Sequence, residues 1–529
     1  MCWRKFFLSL VLAASGASFA QTKTIELLHA NSLEFIQKSN IKAKRLLGNV
    51  SFRDGSTTMY CDSAHLYDNN AIDAYGHVHI VKPDSINAFG ELLHYDGNTK
   101  MAELNKNVRL IDKEMTITTN TLFFNTKNNL ANYIGGGIIV SKDNTLTSEK
   151  GYYFTHTKEV AFKKNVVLVN PSYTMNSDTL VYNTKTKITH FLGPTSITSK
   201  QDFIYCEHGF YNTVTDFAQF YQNAYIITKK QKLKGDSLFY DKKKRTGKGY
   251  SNVSITDTSQ NIIITGDYCY TSELNNLALV TGHAVLMQIN KKDTLFMHAD
   301  TLRAENESKE ENTRRLETGK LLIAKAPKST RKSLLAKLEF QKDSVYKELK
   351  AFHKVKFYKS DMQGKCDSLV YSYRDSTMNL FHDPVLWSQK NQLTAEHIEI
   401  VTNKGDLQRM ELTNSAFIIS QDDTSRFNQI KGKAMHGYFA NNVLFKIRVD
   451  GNGQSIYYGR EKKKYIGVNK VDCSDMLIYL KENTINKITF MTKPDATMYP
   501  IKELSPDELK LKDFTWRIAQ RPNSRKEIF

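Results

Sequence analysis

From about residue 25 onward apolar and polar positions alternate with a period of two, interrupted every few residues by Gly, Asn or Asp. Period two sends successive side chains to opposite faces of a strand, so the pattern predicts short strands joined by tight turns. Helical periodicity is nearly absent before the C-terminus.

A five-residue phrase, acid-x-apolar-x-aromatic, recurs through this alternation. It reads Glu91-Leu-Leu-His-Tyr95, Asn120-Thr-Leu-Phe-Phe124, Glu149-Lys-Gly-Tyr-Tyr153, Asp178-Thr-Leu-Val-Tyr182 and Asp236-Ser-Leu-Phe-Tyr240. With Asp62 and Glu207 included, the first residues fall at 62, 91, 120, 149, 178, 207 and 236, six consecutive spacings of 29. The phrase returns at Asp367 and Glu396, again 29 apart. Self-similarity at a fixed period marks a repeat architecture. A second phrase, Gly or Asn followed by apolar-x-apolar, runs in step as Gly76-His-Val-His-Ile80, Gly136-Gly-Ile-Ile-Val140, Asn165-Val-Val-Leu168 and Asn223-Ala-Tyr-Ile226. Turn signals such as Asp96-Gly-Asn98, Asn125-Thr-Lys127 and Asn183-Thr-Lys185 separate the phrases.

Parity selects one face. Leu93/Tyr95, Leu122/Phe124, Leu180/Tyr182 and Leu238/Tyr240 share a steadily apolar side, whereas the fourth position wanders through His94, Phe123 and Val181. The second phrase adds Ile138, Val140, Val166, Leu168 and Ile226 to that side. Stacked units of this kind make an all-β chain of antiparallel strands with one apolar interior and open edge strands at its ends, the first near Ile25–Phe35. The recurrent acid reads as a structural residue at a strand start or turn. A catalytic carboxylate pair would be unique, not repeated in every unit.

The register breaks between 305 and 339, where Glu305 to Glu317 shows no apolar period and reads as a charged linker or insertion. Alternation resumes over 340–500 as a second β-rich region, with Arg460-Glu-Lys-Lys-Lys464 as an exposed hairpin tip. In the tail, 501–529, Ser505-Pro-Asp-Glu508 carries the N-cap, N1 and N3 residues of a short helix. The terminal Phe529 is a feature of outer-membrane barrels, but Arg525-Lys-Glu527 spoils a lipid-facing strand there.

Residues 1–20 have the form of a cleavable export signal: Arg4 and Lys5, the apolar run Phe6–Ala14, then Ser18-Phe-Ala20 before Gln21. Its removal lowers the formal charge from +19 to +17. Cys61, Cys206, Cys269, Cys366 and Cys473 then remain, an odd set with no CxxC. Cys61 and Cys206 are 145 residues apart, five repeats of 29, so the register predicts free, buried thiols. His77-x-His79 lacks a third metal ligand. No nucleophile elbow, phosphate loop or cofactor motif is present, so the reading is of a protein that is not an enzyme and takes no cofactor. The basic balance favours an acidic partner, and an export signal disfavours nucleic acid. A phosphorylated glycolipid satisfies both, with tails in the interior and phosphates met by Lys and Arg at its rim.

The combination of export signal, alternating strands and units such as Asp178-Thr-Leu-Val-Tyr182 and Asp236-Ser-Leu-Phe-Tyr240 resembles the OstA/LptA-like proteins. The likeness spans about 25–304 closely and 340–500 more loosely, in a chain much longer than the short bridge members. It implies an open β-jellyroll that carries lipopolysaccharide through the periplasm to the outer membrane. It also implies contact with an inner-membrane export complex and an outer-membrane translocon, and head-to-tail self-association through edge strands. The alternative from another class is a secreted β-solenoid that acts as an adhesin or on polysaccharide. The two differ in whether the apolar face can open to a ligand.

Overall fold

Alternation and Asx-rich turns become strands along almost the whole chain in the computed structural model. It describes residues 25–529 except 39–40, 84–85, 114, 201, 229–230, 260, 290–292, 308, 341–345, 404–405, 462–463 and 482–483. The expected export signal and the cleavage point before Gln21 lie outside the described residues. The described residues divide into two compact units, split between Thr189 and His190.

In the first unit the strands follow one another as an antiparallel meander. Ile41–Asp54 pairs with Thr57–Tyr67, that strand with Ala71–Lys82, and so on to Tyr173–Asn183. Each long pairing shifts register near its middle, as between Leu47 and Val50 or between Tyr75 and Val78. The cause is two successive residues at positive φ on every second strand: Gly48/Asn49, Gly76/His77, Lys106/Asn107, Gly135/Gly136 and Lys164/Asn165. Such a pair is a β-bulge, which bends the strand sharply and favours Gly and Asn.

The recurrent acid belongs to these bulges. Asn107 Nδ2 donates to Glu91 Oε1 at 2.5 Å, Asn165 to Glu149 at 2.5 Å, and His77 Nδ1 to Asp62 at 2.7 Å. The second unit repeats the contact between Asn223 and Glu207 at 2.7 Å and between Asn252 and Asp236 at 2.8 Å. In the first unit the acid therefore stands in mid-strand and holds the bulge of its neighbour, whereas in the second Asp236 holds it from just before Ser237–Asp241, at the strand start expected from the sequence. The Asp62 carboxylate also raises the His77 imidazole above its ordinary value.

The bend gives every strand two arms. One ends in turns opened by Asn or Asp: the Lys127 and Asn128 amides donate to Asn125 Oδ1 at 3.0 and 2.8 Å, and those of Lys185 and Thr186 to Asn183 Oδ1 at 3.0 and 2.9 Å. The other ends in short turns such as Gly55-Ser56. The inner faces of both arms form the core, with Leu46, Phe52, Met59, Ile80, Leu104 and Leu110 all buried.

The second unit is built the same way. Thr294–Asn306 pairs directly with Lys347–Tyr358, for example Phe296 opposite Tyr358, so sheet pairing is unbroken across the interruption. Of the two readings of 305–339, linker or insertion, these strands fit the insertion. It forms two helices, Lys309–Lys325 and Lys328–Phe340, inserted between paired strands. Lys, Glu, Arg and Leu are strong helix formers, and Pro327 stands where the second helix begins. A helix without a buried apolar stripe leaves no period to read.

The tail departs from the helix expected at Ser505. The capping box forms, with the Ser505 amide donating to Glu508 Oε2 at 2.9 Å and the Glu508 amide to Ser505 Oγ at 3.4 Å. It closes a single turn only, because Leu509 and Leu511 then pack on Ile456, Tyr458 and Val468. From there the tail runs as an extended strap over outward-facing residues of the unit. Gln429 donates to Leu509 O and accepts from the Leu511 amide, both at 2.8 Å. Gln392 holds Thr515 O and the Arg517 amide at 2.7 and 2.6 Å, and Gln363 accepts from Arg521 Nε at 2.7 Å.

Candidate binding interior

The bulges decide which side chains face inward. In the first unit Leu93, Tyr95, Leu122, Phe124, Val166 and Leu180 all point into the core and are buried, while Leu168 and Tyr182 share that parity half-buried. In the second unit Leu238 is buried, with Ile226 and Tyr240 half-buried.

Ile138 and Val140 do not join them. They are 48% and 49% exposed, and Ile139 between them is buried. The left-handed pair of this unit is Gly135/Gly136, one residue earlier than the phrase Gly136-Gly137 assigns it. A slip of one residue in a strand moves every side chain to the other face. Gly137 is then the inward position, and it must be glycine because the Tyr133 ring lies over it: an added Cβ would come within 2.5 Å of that ring.

The two arms close on each other at their free ends through polar contacts. Tyr95 Oη donates to Asp54 Oδ2 at 2.5 Å, and Lys100 Nζ lies 2.7 Å from the same carboxylate, whose side chain is 5% exposed. Two repeats on, Tyr153 donates to Asp112, with Lys158 Nζ 3.7 Å away. Asp, Tyr and Lys each recur here at a spacing of 58, twice 29. Between them Lys82 donates to Thr126 O at 3.3 Å and to Asn129. Burial first, then the Asp54 carboxylate, holds the Tyr95 phenol well above its ordinary value. These residues latch the mouth of the interior. The five-residue phrase includes the tyrosines but not their partners, which the spacing of 58 identifies.

The interior behind the latches is lined by buried apolar side chains. A hollow of about 1070 Å³ lies elsewhere, along the bulges, lined by His77, His79, Phe89, Glu91 and Arg109. His79 stacks on Phe89 there at 4.3 Å, and Arg109 lies over the same ring at 5.7 Å. No group of three or more metal-binding side chains occurs among the described residues.

Comparison with known families places two matches on this frame. Residues 22–178 match the model of the OstA-like proteins, and residues 263–406 match that of the LptA/(LptD N-terminal domain) LPS transport proteins. The chain belongs to the OstA/LptA-like family. Among solved structures it is similar to LptH, the periplasmic LptA homologue of the lipopolysaccharide transport device of Pseudomonas aeruginosa. That match has 15% identity, covers 21% of this chain and 86% of that one, and has a TM-score of 0.20. No curated protein matches.

The OstA-like match falls on the strands that carry the first latches, and the second match runs through the helical insertion at 309–340. Apart from the helical insertion the chain is built of antiparallel strands, and the second of its two matched families is one of lipopolysaccharide transport.

Proposed function

We propose that this protein binds lipopolysaccharide with its acyl chains between the two arms and carries it across the periplasm towards the outer membrane. The observation that supports this most is the apolar interior with polar latches at its mouth. Separating the arms about the bulges exchanges Asp54–Lys100 and Asp112–Lys158 contacts for contacts with a ligand. The same step uncovers Leu93, Leu104, Leu122 and Phe124 to its tails. Lys82, Lys100 and Lys158 then stand at the mouth, where the phosphates of a glycolipid lie.

Free sheet edges fit the bridging part of the proposal. Among the described residues Glu26–His29 and Ser32–Lys38 pair only with Ile41–Asp54, and Leu33 and Phe35 on them are exposed. At the other end of the sequence Thr484–Met491 and Asp495–Tyr499 pair, among the described residues, only with Lys464–Lys481. Unpaired edges accept a strand from another sheet protein, whether a second copy or the export complex and translocon of the pathway. Export by residues 1–20 and residence in the periplasm belong to the same proposal.

Mass spectrometry of lipid extracted from the protein purified from its own cell envelope tests the ligand. A bound glycolipid with a phosphorylated, multiply acylated anchor is expected. A folded protein that carries no lipid, or that binds polysaccharide without an acyl anchor, would contradict it.

A further inference from the structure

The helical insertion is built in two unlike halves. Near the sheet it is pinned by charge pairs: Glu307 lies 3.3 Å from Arg315 Nε and 2.9 Å from Arg374 Nη1. The helices approach closely, since a Cβ on Gly319 would come within 2.8 Å of Leu338. Acids and bases alternate in this half, as Glu310, Arg314 and Glu317.

The distal half has no acids, and its leucines are partly or largely exposed. Leu321 and Leu322 are 68% and 64% exposed, and Leu334 and Leu335 are 37% and 45% exposed. Exposed Lys320, Lys325, Lys328 and Lys332 surround them, and no Asp or Glu occurs between Glu317 and Glu339. Arg331 Nε donates to Ala326 O at 2.7 Å and fixes the turn. Water-facing helices interleave charges of both signs, and a leucine cluster ringed by one sign marks an interaction surface. Protein interfaces are rich in aromatic residues and Arg and poor in Lys, whereas this tip has leucines, lysines and no aromatic residue. Apolar side chains that enter the headgroup layer, with lysines on its phosphates, suit a membrane surface instead.

We propose that this hairpin docks the protein on the surface of an anionic glycerophospholipid bilayer. The contact is separate from the interior and holds a carrier beside the membrane it serves. It is tested by co-sedimenting the full mature chain with vesicles of phosphatidylethanolamine containing phosphatidylglycerol, and with vesicles in which phosphatidylcholine replaces the anionic lipid. Binding to the anionic vesicles alone is expected, weakening in high salt. Lys325→Glu/Lys328→Glu should lower affinity roughly 10-fold or more, from the worth of each cation near such a surface. Leu321→Ser/Leu334→Ser, at exposed positions that leave the strand signal in circular dichroism unchanged, should lower it comparably. Equal binding to both vesicles, unchanged binding by the variants, or binding only to vesicles that carry lipopolysaccharide would overturn the proposal.

Discussion

Four thiols set a pH limit on the fold. Cys61, Cys206, Cys269 and Cys366 are buried and free, and burial pushes the first two and Cys366 up to about 12 and Cys269 to about 11. Burial pushes the Tyr133 phenol up to about 12 as well. Unfolding releases these groups to ordinary values of 9.0 for the thiols and 10.0 for the phenol. A raised folded pKa contributes stability that is complete below the unfolded value and is lost as pH climbs towards the folded one. The urea midpoint should therefore hold up to about pH 9 and fall steadily above it, and replacing the four cysteines by alanine should flatten part of that fall. A midpoint unchanged between about pH 8 and pH 10.5 would count against buried thiols. The burial of Cys61, Cys206 and Cys366 was legible because each precedes a phrase at one register position, a signal that Cys269 lacks. The facing of Ile138 was not legible, because three consecutive glycines, Gly135 to Gly137, leave the bulge pair undefined by composition. Only the backbone angles show which two are left-handed.

At the scale of elements, strands were readable from alternation, whereas the helices and the strap were not. The strap hides in its docking sites. Gln363 and Gln392 are 29 residues apart, and the pairs Gln363–Trp387, Trp387–Gln392, Gln392–Ile419, Ile419–Gln429 and Gln429–Ile456 make one row across the sheet. Amide and apolar side chains alternate along that row, and all six are buried. The consecutive apolar run Val385-Leu-Trp387 is explained in the same way: Leu386 faces the core while Val385 and Trp387 face outward, on the side over which the tail runs. Glutamine amides here replace a neighbouring strand for Thr515 and Arg517. Gln392→Ala removes both hydrogen bonds that hold this part of the strap and should cost about 0.5–1.5 kcal/mol for each. Limited proteolysis should then cut within 505–521 well before the strands. Equal protection of wild type and variant would show that the strap is held by its apolar contacts alone.

Across the whole molecule, the bulge is the device that converts a repeated sequence into a container. A bend at the same place in successive strands turns a flat meander into two facing arms, and short polar latches close their free ends. The repeat was visible at a spacing of 29, but the closure depends on partners 41 and 46 residues apart, Asp54 with Tyr95 and with Lys100. Alternation alone does not specify such pairs. A buried carboxylate beside a lysine is a costly arrangement to open without a replacement charge, so a phosphorylated ligand is suited to release it.

Site-specific photo-crosslinking in living cells tests the central claim most directly, with the reactive side chain placed at Leu122 or at Ile138. The two lie on neighbouring strands of the first unit but on opposite faces, one buried and the other 48% exposed. Lipopolysaccharide captured at Leu122 and not at Ile138 is the expected result. Capture at Ile138 alone, or at neither position in a folded protein, would contradict it.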